Sequence, residues 1–266
     1  MRVMKRFSLW FGISLIGLAF LSGMAGPILV NEDPFYQDLD NALNPPGHEY
    51  PLGTDHLGRS VLSRLVFGTR RSLVLSALCV GLSVSIGTAA GLIAGFSKGW
   101  MDIVIMRFVD GLLAFPGILL AIVLAGTLGS GTESLVAALV LTMWCDYCRL
   151  IRNITYSILS TPYMEAGMLL GFSSLFLTRR YIIGQLIPQL FTLASLGMGR
   201  TILNVSSLGF LGIGLKPPTP EWGAMISQGI PYLTEAPYLV VFPGAAILMT
   251  VLGFQLLAVF ANKGSE

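Results

Sequence analysis

Charge is what this sequence has least of. Aspartate, glutamate, lysine and arginine together supply 11% of its 266 residues, where a soluble domain carries about 25%. That scarcity sets aside the one or two soluble domains that length alone allows. Sixteen basic and fourteen acidic residues leave a net charge of +2, and so no basic excess with which to hold nucleic acid. Cysteine is also scarce. Cys79, Cys145 and Cys148 all lie in or beside apolar runs, which excludes a secreted disulfide framework. Cys145 and Cys148 belong to a CDYC sequence; a redox or metal role needs a polar, aqueous setting, and we read both as small packing residues. No GxxxxGK[ST] sequence is present, so any ATP must be hydrolysed by another chain. No HExxH or paired ligand cluster is present either, and no cofactor is expected. Apolar residues dominate instead, at 54% with a mean hydropathy of +0.75. The expectation is an all-α, polytopic membrane protein.

The first apolar run, 7–30, follows Arg2, Lys5 and Arg6 and contains no charge. A secretory leader has an apolar core of about 7–15 residues, whereas a spanning helix needs about 20. We therefore read a retained first transmembrane helix. Residues 31–50 carry Asp33-Pro34 and Asn44-Pro45-Pro46-Gly47 and read as a loop. Residues 51–71 show Leu57, Val61, Leu62 and Leu65 near helical spacing, which predicts an interfacial helix with Thr54-Asp55 as its cap. Further spans are predicted at 72–96, 102–128, 134–150, 181–204 and 237–262. Phe115-Pro116 is expected to kink the third. Between the fourth and fifth lies a polar, arginine-ended connection, 151–180. Residues 205–215 read as a helix end or a partly re-entrant segment.

Six spans put both termini on one side. A cytoplasmic placement gathers Arg2, Lys5, Arg6, Lys98, Arg149, Arg152, Arg179, Arg180 and Lys263 inside, against Arg59, Arg64, Arg70, Arg71 and Lys216 outside. The predicted organisation is 1–71 (first helix, outer loop, interfacial helix), 72–262 (core membrane domain, with its cytoplasmic loop near 151–180) and 263–266 (tail). The chain is thus expected to cross a membrane, in contact with the lipid bilayer.

Three blocks carry a family resemblance that covers nearly the whole chain. They are LGTDHLGRSVLSRLVFGTRRSL at 52–73, EAGMLLGFSSLFLTRRYIIGQLIP at 165–188 and LGFLGIGLKPPTPEWG at 208–223. The sequence resembles the C-type permease subunits of ABC importers of the dipeptide, oligopeptide and nickel group, which have a type I importer fold. That resemblance implies a homologous second permease subunit, two cytoplasmic ATPase subunits and an extracytoplasmic substrate-binding protein as partners. It implies no catalysis by this chain. It also implies that Glu165, Ala166, Gly167 and Gly171 belong to a coupling loop that meets an ATPase. Arg179 and Arg180 pair there with acids or anchor at headgroups. The chain departs from the family pattern at Ser60, often Asp, at Gly167, often Ala, at Tyr181, often His, and at Gly184, usually Pro in peptide-type members. Gly184 and Tyr181 favour nickel or a nickel chelate as the substrate. Import of dipeptides or oligopeptides by the same mechanism is the alternative.

Ionisable residues inside spans are costly and mark pathways, partners or internal pairs. Asp110, Asp146 and Arg200 are the candidates for a pathway or gate. Asp146 has Arg149 nearby as an alternative partner, and Arg107 can snorkel to the cytoplasmic edge. Met143, Trp144 and Met198 read as packing residues. His48 and His56, beside Glu49 and Asp55, read as structural or metal-handling. The segment 216–223 is a rigid outer loop that receives the binding protein, or else an anchor through Trp222. A secondary transporter driven by an ion gradient, a membrane enzyme and a scaffold are the more distant readings.

Overall fold

The structure, a computed structural model, describes residues 2–30, 32–97, 99–129 and 131–262. Lys98, Lys263 and the predicted tail at 263–266 lie outside the described residues, as do the side chains of Arg2, Lys5 and Arg6. The described chain is helical almost throughout. Helix α1 is Arg2–Leu29, α2 Val61–Ser97, α3 Trp100–Leu113, α4 Gly117–Leu128 and α5 Thr132–Leu159. Short α6 (Pro162–Leu169) and α7 (Ser174–Leu177) lead through a wide turn, Thr178–Ile182, into α8, Ile183–Phe210. Helix α9 is Trp222–Gly229 and α10 Tyr238–Asn262. Five helices are long and apolar enough to cross a membrane, and six spans result if the bent pair α3–α4 counts as one.

Helix α2 differs from expectation. No interfacial helix precedes it. Residues 51–60 form turns closed by a bridge between Thr54 and Ser60, and one helix runs unbroken from Val61 to Ser97. Asp55 does not cap it; its carboxylate accepts from the backbone N–H of Leu57 and Arg59 instead. Nothing between Val61 and Ser97 breaks a helix, because no proline falls there. At 1.5 Å per residue the helix is about 55 Å long, against a hydrocarbon core of about 30 Å. It is therefore longer than the core is thick, and its first turn supports the loop 32–60, the Val61 N–H donating to the Gly53 carbonyl and Ser63 Oγ to the Glu32 carbonyl.

The core forms where α2 and α5 pack along their length. Gly87, Gly91 and Gly95 recur every four residues on one face of α2. A Cβ on Gly91 would lie 2.6 Å from the Cys148 carbonyl and 2.8 Å from the Ile151 Cβ. Small residues at this spacing let two membrane helices approach backbone to backbone. Cys145 and Cys148 are buried here against Val109, so CDYC serves packing. Met143 and Met198 are likewise core.

The third span breaks where proline dictates. Pro116 lacks an N–H and disfavours helical backbone at Phe115, and α3 and α4 meet at 88°. The fourth span runs longer than expected. Helix α5 passes through Arg149 and Arg152 and ends at Leu159, because acids on α3 neutralise both arginines. The polar connection is correspondingly shorter, 160–182.

Candidate functional site

The segment after α5 is built as a rigid protrusion. Pro162 opens α6 at a position where its missing N–H costs nothing. Gly171 closes it at φ +80°; the Phe172 N–H donates to the Gly167 carbonyl and the Gly171 N–H to that of Met168. This paired closure needs the left-handed backbone that glycine adopts freely. Ser173 then caps α7, its Oγ accepting from the Phe176 N–H. Met164 and Leu177 anchor the protrusion among Ile158, Leu159, Ile182 and Leu186, at the adjoining ends of α5 and α8. Gly167 faces inward, where a Cβ would sit 3.3 Å from both Leu177 and Phe172. Glu165 and Ala166 face outward. Beside them Leu169, Leu170 and Leu175 are 89%, 75% and 78% exposed.

Helix α5 carries a row of ion pairs to α3 and α8. Asp146, Arg149 and Arg152 are spaced by three along α5. Asp146 accepts from Arg200 Nη1 of α8 at 2.8 Å. Arg149 reaches Asp110 of α3, and Arg152 grips Asp102 of α3 through both Nε and Nη2. Arg200 also lies against Gly117, the first residue of α4 after the elbow. Arg149 thus pairs with Asp110 and leaves Asp146 to Arg200. Arg107 is exposed and makes no ion pair among the described residues.

At the other end, loop 32–60, the end of α8 and α9 interlock. Asp55 binds Arg59 Nε at 2.7 Å and Arg64 Nε at 3.4 Å, and Gln228 of α9 accepts from both arginines. His56 stacks on Tyr232 at 5.3 Å; burial first, then Arg59 and Arg64, hold its imidazole below the usual range against the opposing pull of Asp55. Among the described residues no group of three potential metal ligands gathers. Glu221 is buried. It accepts from Ser206 Oγ and from the Gly223 and Ala224 N–H groups, and burial raises its carboxyl above the usual range in spite of those bonds. Trp222 is fully buried too, so it does not anchor at a membrane surface; Lys216, Pro217 and Pro218 remain exposed. The glycines of the third block follow from this clasp: a Cβ on Gly209 would collide with Glu221 Oε2, and one on Gly223 with the Ser206 carbonyl.

An anchored protrusion and a row of ion pairs on apolar helices long enough to span a membrane fit a transport subunit, and comparison with known proteins agrees. Residues 87–263 match the family described as binding-protein-dependent transport system inner membrane component. The chain belongs to this family. It is similar to the glutathione transport system permease protein GsiD of Pectobacterium atrosepticum, at 37% identity over 93% of this chain and 81% of that protein. The proteins of the same name from Escherichia coli and Shigella boydii are 38% identical over 84% of this chain and 73% of theirs. The chain is therefore a multi-pass inner-membrane permease subunit of an ABC-type importer and is itself non-catalytic. The readings as a gradient-driven transporter, an enzyme or a scaffold fall away.

Sequence reasoning about this permease picked out Asp110, Asp146 and Arg200, and the structure puts all three in ion pairs with α5 as one side, Asp146 with Arg200 and Asp110 with Arg149. It offered Arg149 as a partner for Asp146, where the structure pairs it with Asp110, and it missed Asp102 and Arg152 as partners. The only signal was the three-residue spacing on α5, which does not reveal which other helix supplies the opposite charge.

Proposed function

We propose that this permease subunit carries peptides across the inner membrane, with α6 and α7 as its contact to a cytoplasmic ATPase. The observation that carries the coupling reading is the protrusion. It presents Glu165 beside three leucines more exposed than any water-facing turn requires, yet Met164 and Leu177 fix it to the ends of α5 and α8. A partner that seats on those leucines and pairs with Glu165 pushes directly on α5, which has a member in all three ion pairs, and on α8, which supplies Arg200. Ala166 lies in the same surface. Gly167 and Gly171 act beneath it, one admitting α7 and the other ending α6.

The proposed topology has six spans and cytoplasmic termini, following the arginine and lysine bias. The loop 32–60 and the 211–237 connection then face outward toward a substrate-binding protein. A homologous second permease subunit and two ATPases complete the importer. ATP binding draws the two coupling segments together, and the permease pair turns from inward-facing to outward-facing. Hydrolysis resets it. Asp110, Asp146 and Arg200 line the pathway in this reading.

Peptides are preferred to nickel as the substrate for two reasons. The similar permeases carry a glutathione transport name, and glutathione is a peptide. Gly184, which favoured nickel, faces outward with no atom within 4 Å of a would-be Cβ, so its environment does not demand glycine.

Two substitutions test the coupling reading. Glu165→Arg reverses the surface charge, and Gly171→Leu strains the left-handed closure by about 1–2 kcal/mol. Both should lower co-purification of the ATPase and abolish most transport. Unchanged association and transport in both would remove the coupling role from α6 and α7.

A further inference from the structure

The three ion pairs are not alike. Arg152 and Asp102 form a two-bond pair with side chains 27% and 15% exposed, and the Arg152 guanidinium also lies over the Tyr156 ring. Arg149–Asp110 and Arg200–Asp146 are single-contact pairs. Their side chains are 46% and 56%, and 57% and 36%, exposed. The first pair is fastened. The other two stand open, although each lies within a helix assigned to the membrane.

Charge this exposed is not stable against lipid tails, so this face is covered by polypeptide or by water. Each pair is already neutral within itself. Neither leaves an excess charge for an oppositely charged partner surface to neutralise, which argues against subunit glue and for a wetted wall. The polarity of the pairs also reverses. On α5 the acid Asp146 and the base Arg149 lie about one turn apart, and their partners, Arg200 on α8 and Asp110 on α3, carry the opposite order of charge. The face therefore offers an ammonium site and a carboxylate site twice over. An ammonium that takes an aspartate frees the arginine for a carboxylate, and the net charge does not change. One ion pair is exchanged for another, so passage needs neither a deep binding well nor a bare charge.

We infer that Asp146–Arg200 and Asp110–Arg149 are exchange sites for the two charged ends of a zwitterionic substrate, a peptide with free amino and carboxyl termini. The Asp102–Arg152 pair stays closed and holds α3 on α5. This rests on the peptide reading and on the pathway placement proposed above.

The test uses the whole importer in vesicles, with its second permease subunit, ATPases and binding protein. The probe is a labelled tripeptide with free termini, and uptake is expressed per ATP hydrolysed. Asp146→Asn with Arg200→Gln, and Asp110→Asn with Arg149→Gln, replace each pair by neutral hydrogen-bonding groups. Each double variant should lower the ratio about tenfold or more, as expected from losing a charge-assisted hydrogen bond, with the two permease subunits still associated. The reversed pair, Asp146→Arg with Arg200→Asp, should recover most of it. A photoreactive group on the peptide should label α5 near Asp146 and Arg149 in the unaltered protein. Wild-type ratios in both neutral variants, or dissociation of the second permease subunit, would overturn the inference and leave the pairs a structural role. If the unaltered importer fails to move peptide already loaded on its binding protein, the peptide reading itself fails, whatever the variants do.

Discussion

Gly91 and Gly81 sit in the same helix and differ only in what they face. At Gly91 a side chain would meet the α5 backbone, whereas at Gly81 it would meet nothing within 4 Å. Gly91→Leu should therefore separate α2 from α5 and cost roughly 1–3 kcal/mol or more, seen as a lower melting temperature in detergent. Gly81→Ala should leave it unchanged or slightly raised, since alanine is the better helix former. Equal effects would deny the small-residue contact. Glu221 makes a second prediction. Its carboxyl has the ordinary value of 4.5 when unfolded and a raised one when buried in the fold, so the folded state holds the proton more tightly. The stability this contributes is full below the ordinary value and is lost as pH rises through the raised one. Melting temperature should thus fall as pH climbs out of the acidic range, and Glu221→Ala should flatten that part of the profile while lowering stability overall, because the Gly223 and Ala224 N–H groups lose their acceptor. A profile that rises over that range in the unaltered protein would contradict the assignment.

At the scale of elements, the elbow between α3 and α4 makes the clearest claim. Pro116 ends one helix and starts the next, and the 88° bend brings Gly117 beneath Arg200. Pro116→Ala restores an N–H and lifts the restriction on Phe115, so the two helices should straighten. Val104 and Val123 are exposed on either side, and the three native cysteines are buried. Spin labels at Val104→Cys and Val123→Cys should therefore report a longer distance in the Pro116→Ala background, with slower transport. An unchanged distance would mean that tertiary packing, and not proline, sets the bend. Such local signals were the legible ones. Apolar run length gave the membrane helices, Phe115-Pro116 gave the break, and the 165–188 block gave the protrusion. Two kinds of feature were not legible. The extent of α2 and α5 was misjudged because Arg70-Arg71 and Arg149 look like span ends, whereas α5 keeps its arginines by pairing them with α3. The ion partners were misjudged because a long arginine side chain reaches a neighbouring helix as easily as its own next turn, and sequence spacing is blind to that. The GxxxGxxxG stripe of α2 was open to reading as a close-contact face, though the spacing does not say that α5 fills it.

For the whole molecule, the parts form one mechanical line. The α6–α7 protrusion rests on the ends of α5 and α8; α5 holds one member of each open ion pair, with partners on α3 and α8, and Arg200 of α8 lies against Gly117 at the α3–α4 elbow; at the far end α8 is clasped to α9 by Glu221, and α9 is tied to the outer loop through Gln228 with Arg59 and Arg64. In the proposed mechanism this packed, hydrogen-bonded line is the route from α6 and α7 to the outer loop that alternating access would use. ATP-driven peptide import through this line is read most directly as uptake by the purified, reconstituted importer. With the binding protein outside and ATP supplied to the ATPase side, a labelled tripeptide should accumulate and stop accumulating when ATP is withdrawn, and nickel ion should not accumulate under the same conditions. Nickel uptake without peptide uptake, or peptide uptake that persists without ATP, would contradict it.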